Sequence, residues 1–194
     1  MEKLGQSKLK IVHLILMILL CVMSIVSAGI IFTGNIPSGF ETSAEAYKTT
    51  TTLYGIAHVV NALALLCGIT YLLKGSGKQA AFWYKTLVLL ATVGVAFRLI
   101  GTLIRPGFGL TACLMIGIII ALLVLRFVKN LGERNTMLVF HVLVTLEVVL
   151  AIAMFDKSEA LSSIAGSLTR LVLDSCIGLA IREKYADKTA RNTK

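Results

Sequence analysis

Charge is scarce in this sequence. Only 15% of the residues are Asp, Glu, Lys or Arg while 57% are hydrophobic, and the mean hydropathy is +0.87. A soluble domain carries about 25% charged residues, so this composition excludes one and points to an integral membrane protein. Acidic residues are the rarest charged class, 10 against 19 Lys and Arg, which leaves a formal charge of +9. That sign would suit nucleic acid, but the basic residues sit in short clusters between apolar runs rather than on a polar face with interleaved aromatics. Nucleic acid is therefore not an expected partner, and the basic clusters are read as orientation signals at the surface of a lipid bilayer.

Other absences narrow the function. Cys21, Cys67, Cys113 and Cys176 all fall inside apolar runs, without a C-x-x-C pair or a histidine at ligand spacing, so neither a metal site nor a redox pair is signalled. All four read as small packing residues. The sequence has no G-x-S-x-G, H-E-x-x-H or Walker loop, and no apolar run holds the paired acids of an intramembrane protease. Gly75, Ser76, Gly77 and Lys78 superficially suggest a phosphate loop but lack its spacing and its preceding strand, and read as a tight turn. A bis-histidine haem needs two histidines at matching depth on facing helices. His13 and His141 match in depth alone, and no cofactor is expected.

Six apolar runs are present, at about residues 11–32, 52–73, 80–104, 108–128, 136–155 and 160–181. Each is long enough to cross a hydrocarbon layer of about 30 Å, which takes about 20 helical residues. The expected fold is all-α, a polytopic six-helix membrane bundle forming one domain over residues 1–194. Short links after the second helix make sequential helices antiparallel neighbours. The first run follows a basic N-terminus but exceeds a signal-peptide core, so it reads as an uncleaved first span.

Lys and Arg give the orientation, because cytoplasmic flanks carry the excess. The six-span arrangement puts 14 of the 19 on one side, only Lys48, Arg105 and Lys157 on the other, and Arg98 and Arg170 within spans. Both termini are then cytoplasmic, in a multi-pass protein of the cell membrane. The loop over about residues 33–51, with Pro37, Gly39, Glu41 and Glu45, is external, and its 44–48 portion suits a short surface helix. Residues 182–194 read as a frayed cytoplasmic tail. Lys85 beside Trp83 and Tyr84 reads as an interfacial anchor of the third span.

A weak repeat aligns residues 87–98 (LVLLATVGVAFR) with 171–182 (LVLDSCIGLAIR). It would make the chain two inverted three-helix halves, as in transporters with inverted topology.

The stretch over residues 162–182 is the one around which the others are expected to pack. At spacing four its residues read Ser162, Gly166, Arg170, Asp174 and Gly178, which share one helix face. Charges in the middle of a membrane helix must face protein or trapped water. Counting inward from the outer ends places Arg98, Glu147 and Arg170 in the outer half, with His58 and Asn61 at similar depth and Asp174 deeper. These six residues, Arg98, Glu147, Arg170, Asp174, His58 and Asn61, form the candidate binding site for a small polar solute or ion. The expected pairing is Arg170 with Asp174 along their own helix and Glu147 across to Arg98, with Arg170 as the other basic group that Glu147 could reach. Stripes of small residues, Ala91, Gly94, Gly101 and Thr102 in the third span and Gly109, Cys113, Gly117 and Ala121 in the fourth, are expected to mediate packing.

The sequence supports two functions: a small transport or solute-binding protein with its site in the outer half, or a non-transporting subunit, regulator or scaffold whose buried charges are structural. A membrane-embedded enzyme ranks third. Besides the bilayer and the solute, a second copy or another membrane protein is an admissible partner.

Overall fold

The computed structural model describes residues 2–33, 44–74, 78–104, 109–127, 133–153 and 160–192. Side-chain surroundings are described for 9–33, 48–74, 78–104, 109–127, 135–150 and 165–181. The described residues form six helices: α1 (Glu2–Phe32), α2 (Ala44–Lys74), α3 (Lys78–Ile104), α4 (Leu110–Phe127), α5 (Glu133–Ala153) and α6 (Ala160–Asn192). No strand occurs among the described residues.

Among the described residues, four helical stretches are long and apolar enough to cross a membrane: Leu9–Phe32, Lys48–Lys74, Lys78–Ile104 and Leu110–Phe127. In α5 the described apolar stretch is Asn135–Leu150, within a helix that runs from Glu133 to Ala153. In α5 and α6 the apolar sequence is interrupted by Glu147, Arg170 and Asp174, and both helices continue through them.

The residues at both ends extend the helices beyond the apolar runs. α2 begins at Ala44, so the short surface helix expected over 44–48 is the first turn and a half of α2. α6 continues to Asn192, where a frayed tail was expected. The sequence after Ile181 has neither Pro nor Gly and is rich in Arg, Glu, Lys and Ala, so nothing in it stops the i to i−4 ladder. The turn at 75–77 and the loop residues 34–43 lie outside the described residues.

Each helix packs against its neighbours in the chain, and α6 returns to close against α1, α2 and α3 as well as α5. This places α6 at the centre of one side of the bundle, as its charged stripe requires. Ala165, Gly166, Thr169, Arg170, Leu173, Asp174, Cys176 and Ile177 are buried, whereas Leu168 is exposed.

α1 shows how the bundle distributes polarity. Its exposed face is Ile11, Val12, Ile15, Leu19, Val22, Ile25 and Val26, and its buried face includes His13, Ser24 and Ser27 beside Met17 and Leu20. An apolar exterior around a partly polar interior is the reverse of a water-facing helix and suits lipid. Ser24 Oγ and Thr169 Oγ1 meet at 3.5 Å, joining α1 to α6. The apolar core of Met17, Leu65, Leu87, Val88, Ile118, Leu122 and Ile177 spans five of the helices. Lipid is as apolar as this core, so dispersion contacts and interhelical hydrogen bonds, rather than expulsion of water, hold it together.

The small-residue stripe of α3 faces inward. Gly94 and Gly101 are buried against Asn61 and Tyr54 of α2, and the Tyr54 hydroxyl lies 3.3 Å from Thr102 Oγ1. The stripe of α4 is different. Cys113 is exposed, as is Gly109, and only Gly117 and Ala121 pack inward, Gly117 meeting Leu143 of α5. The buried face of α4 is carried by Ala112, Met115, Ile118 and Leu122, one position round from that stripe. Cys113 is thus not a packing residue, whereas Cys21, Cys67 and Cys176 are buried.

The aligned segments 87–98 and 171–182 occupy unlike environments. Leu89 is 42% exposed whereas its counterpart Leu173 is 4% exposed. Two equivalent halves would also pair α3 with α5 as α2 pairs with α6, and among the described residues only the second of these packings occurs.

Candidate functional site

The polar groups fall into two layers. In the first, Arg170 of α6 ion-pairs with Glu147 of α5, with Arg170 Nε against Glu147 Oε2. Both side chains are buried, at 6% and 1% exposure. The Arg170 Nη2 donates to Ser167 Oγ at 3.4 Å, one turn earlier on α6, while its Nη1 has no hydrogen-bond partner among the described residues.

Arg98 of α3 converges on the same point. Its Nη1 reaches the backbone of Gly166, where a side chain of any size would collide with it, and the Arg170 Nη1 stands 3.8 Å from that same Cβ position. Glycine at 166 is therefore what lets a guanidinium from α3 lie against α6 beside another guanidinium. The Arg98 Nη1 is buried and has no hydrogen-bond partner among the described residues. Arg98 is held from its own helix, where its carbonyl accepts a 2.9 Å hydrogen bond from Thr102 Oγ1.

Two groups of α2 complete this layer. Asn61 Oδ1 lies 2.6 Å from where a Cβ on Gly94 would be, so the amide packs directly on the α3 backbone one turn before Arg98. His58, one turn away on α2, is buried at 4% exposure and lies within range of both the Arg98 and the Arg170 charges.

The second layer lies about one helical turn further along α6. Asp174, 1% exposed, pairs with His141 Nδ1 through Oδ2, while the His141 side chain is 59% exposed. Beside it, the His13 Nδ1–H donates to the Leu9 carbonyl at 2.9 Å, which leaves Nε2 as the acceptor for the Ser175 hydroxyl. His13 and His141, matched in depth, are thus engaged by separate partners. Among the described residues no group of three or more His, Cys, Asp or Glu is placed to hold a metal ion.

The expected pairs are therefore corrected. Arg170 pairs with Glu147 rather than with Asp174, and Glu147 pairs with Arg170 rather than with Arg98. The reason is geometric: α5 and α6 pack directly against each other, and that packing sets Glu147 against Arg170 and His141 against Asp174. Five of the six candidate residues, Arg98, Glu147, Arg170, His58 and Asn61, lie in one layer. Asp174 is separated from them by its engagement with His141.

His141 is the residue that sequence reasoning missed. A short connection between two antiparallel helices, centred near residues 157 and 158, places 141 opposite 174 and 147 within a turn of 170. That hairpin register carried the signal.

The sequence has no match among protein-family models, curated proteins or solved structures. The functional reading rests on the charges and their partners alone.

The chemical character of the first layer follows from these contacts. Two guanidiniums and one carboxylate, the carboxylate engaged by Arg170 alone, lie within an apolar bundle with an amide and an imidazole in the same layer. A buried guanidinium without a counter-charge is costly, because it leaves water without recovering an interaction of similar strength. The Glu147–Arg170 pair is closed. Among the described residues Arg98 has no counter-charge against its Nη1.

Proposed function

We propose that this chain is a small integral membrane protein that binds, and moves across the cell membrane, a small polar solute or ion at a site between α2, α3, α5 and α6. In the six-span arrangement suggested by the basic clusters, both termini are cytoplasmic and the Arg98 layer lies in the outer half of the bilayer. The observation that carries this reading is Arg98: an ionised group aimed into a bundle interior, at a glycine, without a hydrogen-bond partner for its Nη1 among the described residues. Ionisable groups at such positions mark ligand and ion paths more often than they add stability.

A second reading has its own support. The Glu147–Arg170 ion pair and the Asp174–His141 contact tie α5 to α6, as expected of a scaffold or a non-transporting subunit. On that reading the charges fix helix pairing, and a partner protein or a second copy binds elsewhere.

Accessibility separates the two. In a cysteine-free background, Asn61→Cys puts a thiol beside Arg98 while keeping both guanidiniums. The transport reading expects modification by a small impermeant thiosulfonate applied to intact cells from outside, faster for a negatively charged reagent than for a positively charged one. Complete protection in a variant that folds normally would favour the scaffold.

A further inference from the structure

We infer that the ligand of this site is a small monovalent organic anion whose carboxylate is held between Arg98 and Arg170 over the Gly166 backbone. The inference rests on the solute-binding reading above and adds the class of solute. Three observations on the same few atoms support it. Among the described residues neither Arg170 Nη1 nor Arg98 Nη1 has a hydrogen-bond partner, and both stand at Gly166. Arg170 is 6% exposed, so its unsatisfied edge faces protein interior rather than bulk solvent. Glu147 already occupies Arg170 Nε, which leaves the Nη1 edge of that guanidinium as the unsatisfied donor.

Guanidinium edges present paired N–H donors that match the two oxygens of a carboxylate, and such charge-assisted bonds are about twice as strong as neutral ones. One carboxylate bridging the two Nη1 groups satisfies both donors and supplies the counter-charge that Arg98 lacks. The charge balance limits the ligand to a monoanion. Two guanidiniums against one carboxylate leave a single positive charge, which a dianion such as phosphate or succinate would overshoot in a low-dielectric setting. The same balance excludes a cation, which would add a second uncompensated positive charge. Asn61 and His58, on the α2 side, are the groups positioned to read a hydroxyl, carbonyl or amide on the remainder of the molecule.

The test uses the whole protein in detergent at fixed ionic strength, with unfolding followed by the fluorescence of Trp83. Sodium acetate, sodium phosphate, ethylammonium chloride and glycerol are titrated separately. Acetate is expected to raise the melting temperature saturably, since a ligand that binds only the folded state stabilises in proportion to the logarithm of its occupancy. Arg98→Gln is expected to weaken the acetate midpoint by at least about tenfold, the loss of one charge-assisted contact. Arg98→Lys should recover part of it. Saturable stabilisation by phosphate, ethylammonium or glycerol but not by acetate would overturn the carboxylate assignment while leaving a solute site in place. No saturable response to any of the four, or an acetate response unchanged in Arg98→Gln, would overturn the assignment and remove the support that Arg98 gives to the solute-binding reading. Should Arg98→Gln fail to fold, Gly166→Ala serves in its place, because the added methyl displaces the flexible end of Arg98 and leaves the charge.

Discussion

Neutralising Glu147 should cost more stability than neutralising Arg170, although the two residues are partners. Both are almost fully buried, and the ion pair joins α5 to α6. At a separation of about 4 Å and an effective dielectric of about 20, a unit pair is worth about 4 kcal/mol, and breaking one partner of a buried pair costs about 3–5 kcal/mol because a lone charge stays inside. The asymmetry comes from Arg98. Glu147→Gln leaves two guanidiniums at Gly166 and no carboxylate between them. Arg170→Gln leaves one carboxylate and one guanidinium in the same layer, whose opposite charges still offset each other. The expected order of destabilisation is therefore Glu147→Gln first, Arg170→Gln clearly less, and the double variant below the sum of the singles. The assay is equilibrium unfolding in mild detergent or bicelles, with helicity as the readout. Equal single effects that add in the double variant would refute both the pair and the role assigned to Arg98.

Other outcomes follow from the same contacts. Arg170→Leu combined with Asp174→Leu should be nearly additive, since the two residues have separate partners; strong coupling in that cycle would restore a pairing along α6. His141→Ala should destabilise by leaving Asp174 alone in the interior, about 1–3 kcal/mol for an unsatisfied buried group, and Asp174→Asn should remove most of that loss when combined with it. Gly101→Ala sets a methyl group 2.8 Å from the Tyr54 ring, which cannot yield as a flexible side chain does, so it should lower the melting temperature more than Gly166→Ala, whose neighbour is the mobile end of Arg98. Cysteines introduced near Lys78, Gly132 and Lys188 should resist an impermeant thiol reagent in intact cells while those at Thr50 and Ser158 react; labelling at Gly132 from outside would break the six-span topology.

The legibility of this fold came from two periodicities. Apolar runs of membrane-spanning length marked where helices lie, and the spacing of four in Gly166, Arg170 and Asp174 marked which face of α6 turns inward, because the cost of a charge in lipid leaves it one direction. Partner choice was harder to read. A pair four apart on one helix is visible in any sequence, whereas Glu147 meets Arg170, and His141 meets Asp174, only through the register of the α5–α6 hairpin. The stripe of α4 misled for a related reason: spacing four identifies a face but not what covers it, and Cys113 carries no charge to force it inward. The contact of Arg98 with Gly166 had no signal in the sequence, since it depends on how α3 crosses α6.

The central claim is that Arg98 is held uncompensated for a ligand rather than for stability. Unfolding of the ligand-free protein carrying Arg98→Gln, set beside the wild type under the same conditions, tests it most directly. Removing a half-buried charge whose buried Nη1 has no hydrogen-bond partner among the described residues relieves a desolvation penalty, so the account predicts a melting temperature equal to or above that of the wild type, together with loss of solute binding. A fall in melting temperature as large as that of Glu147→Gln would contradict it and assign Arg98 to the structural charge network.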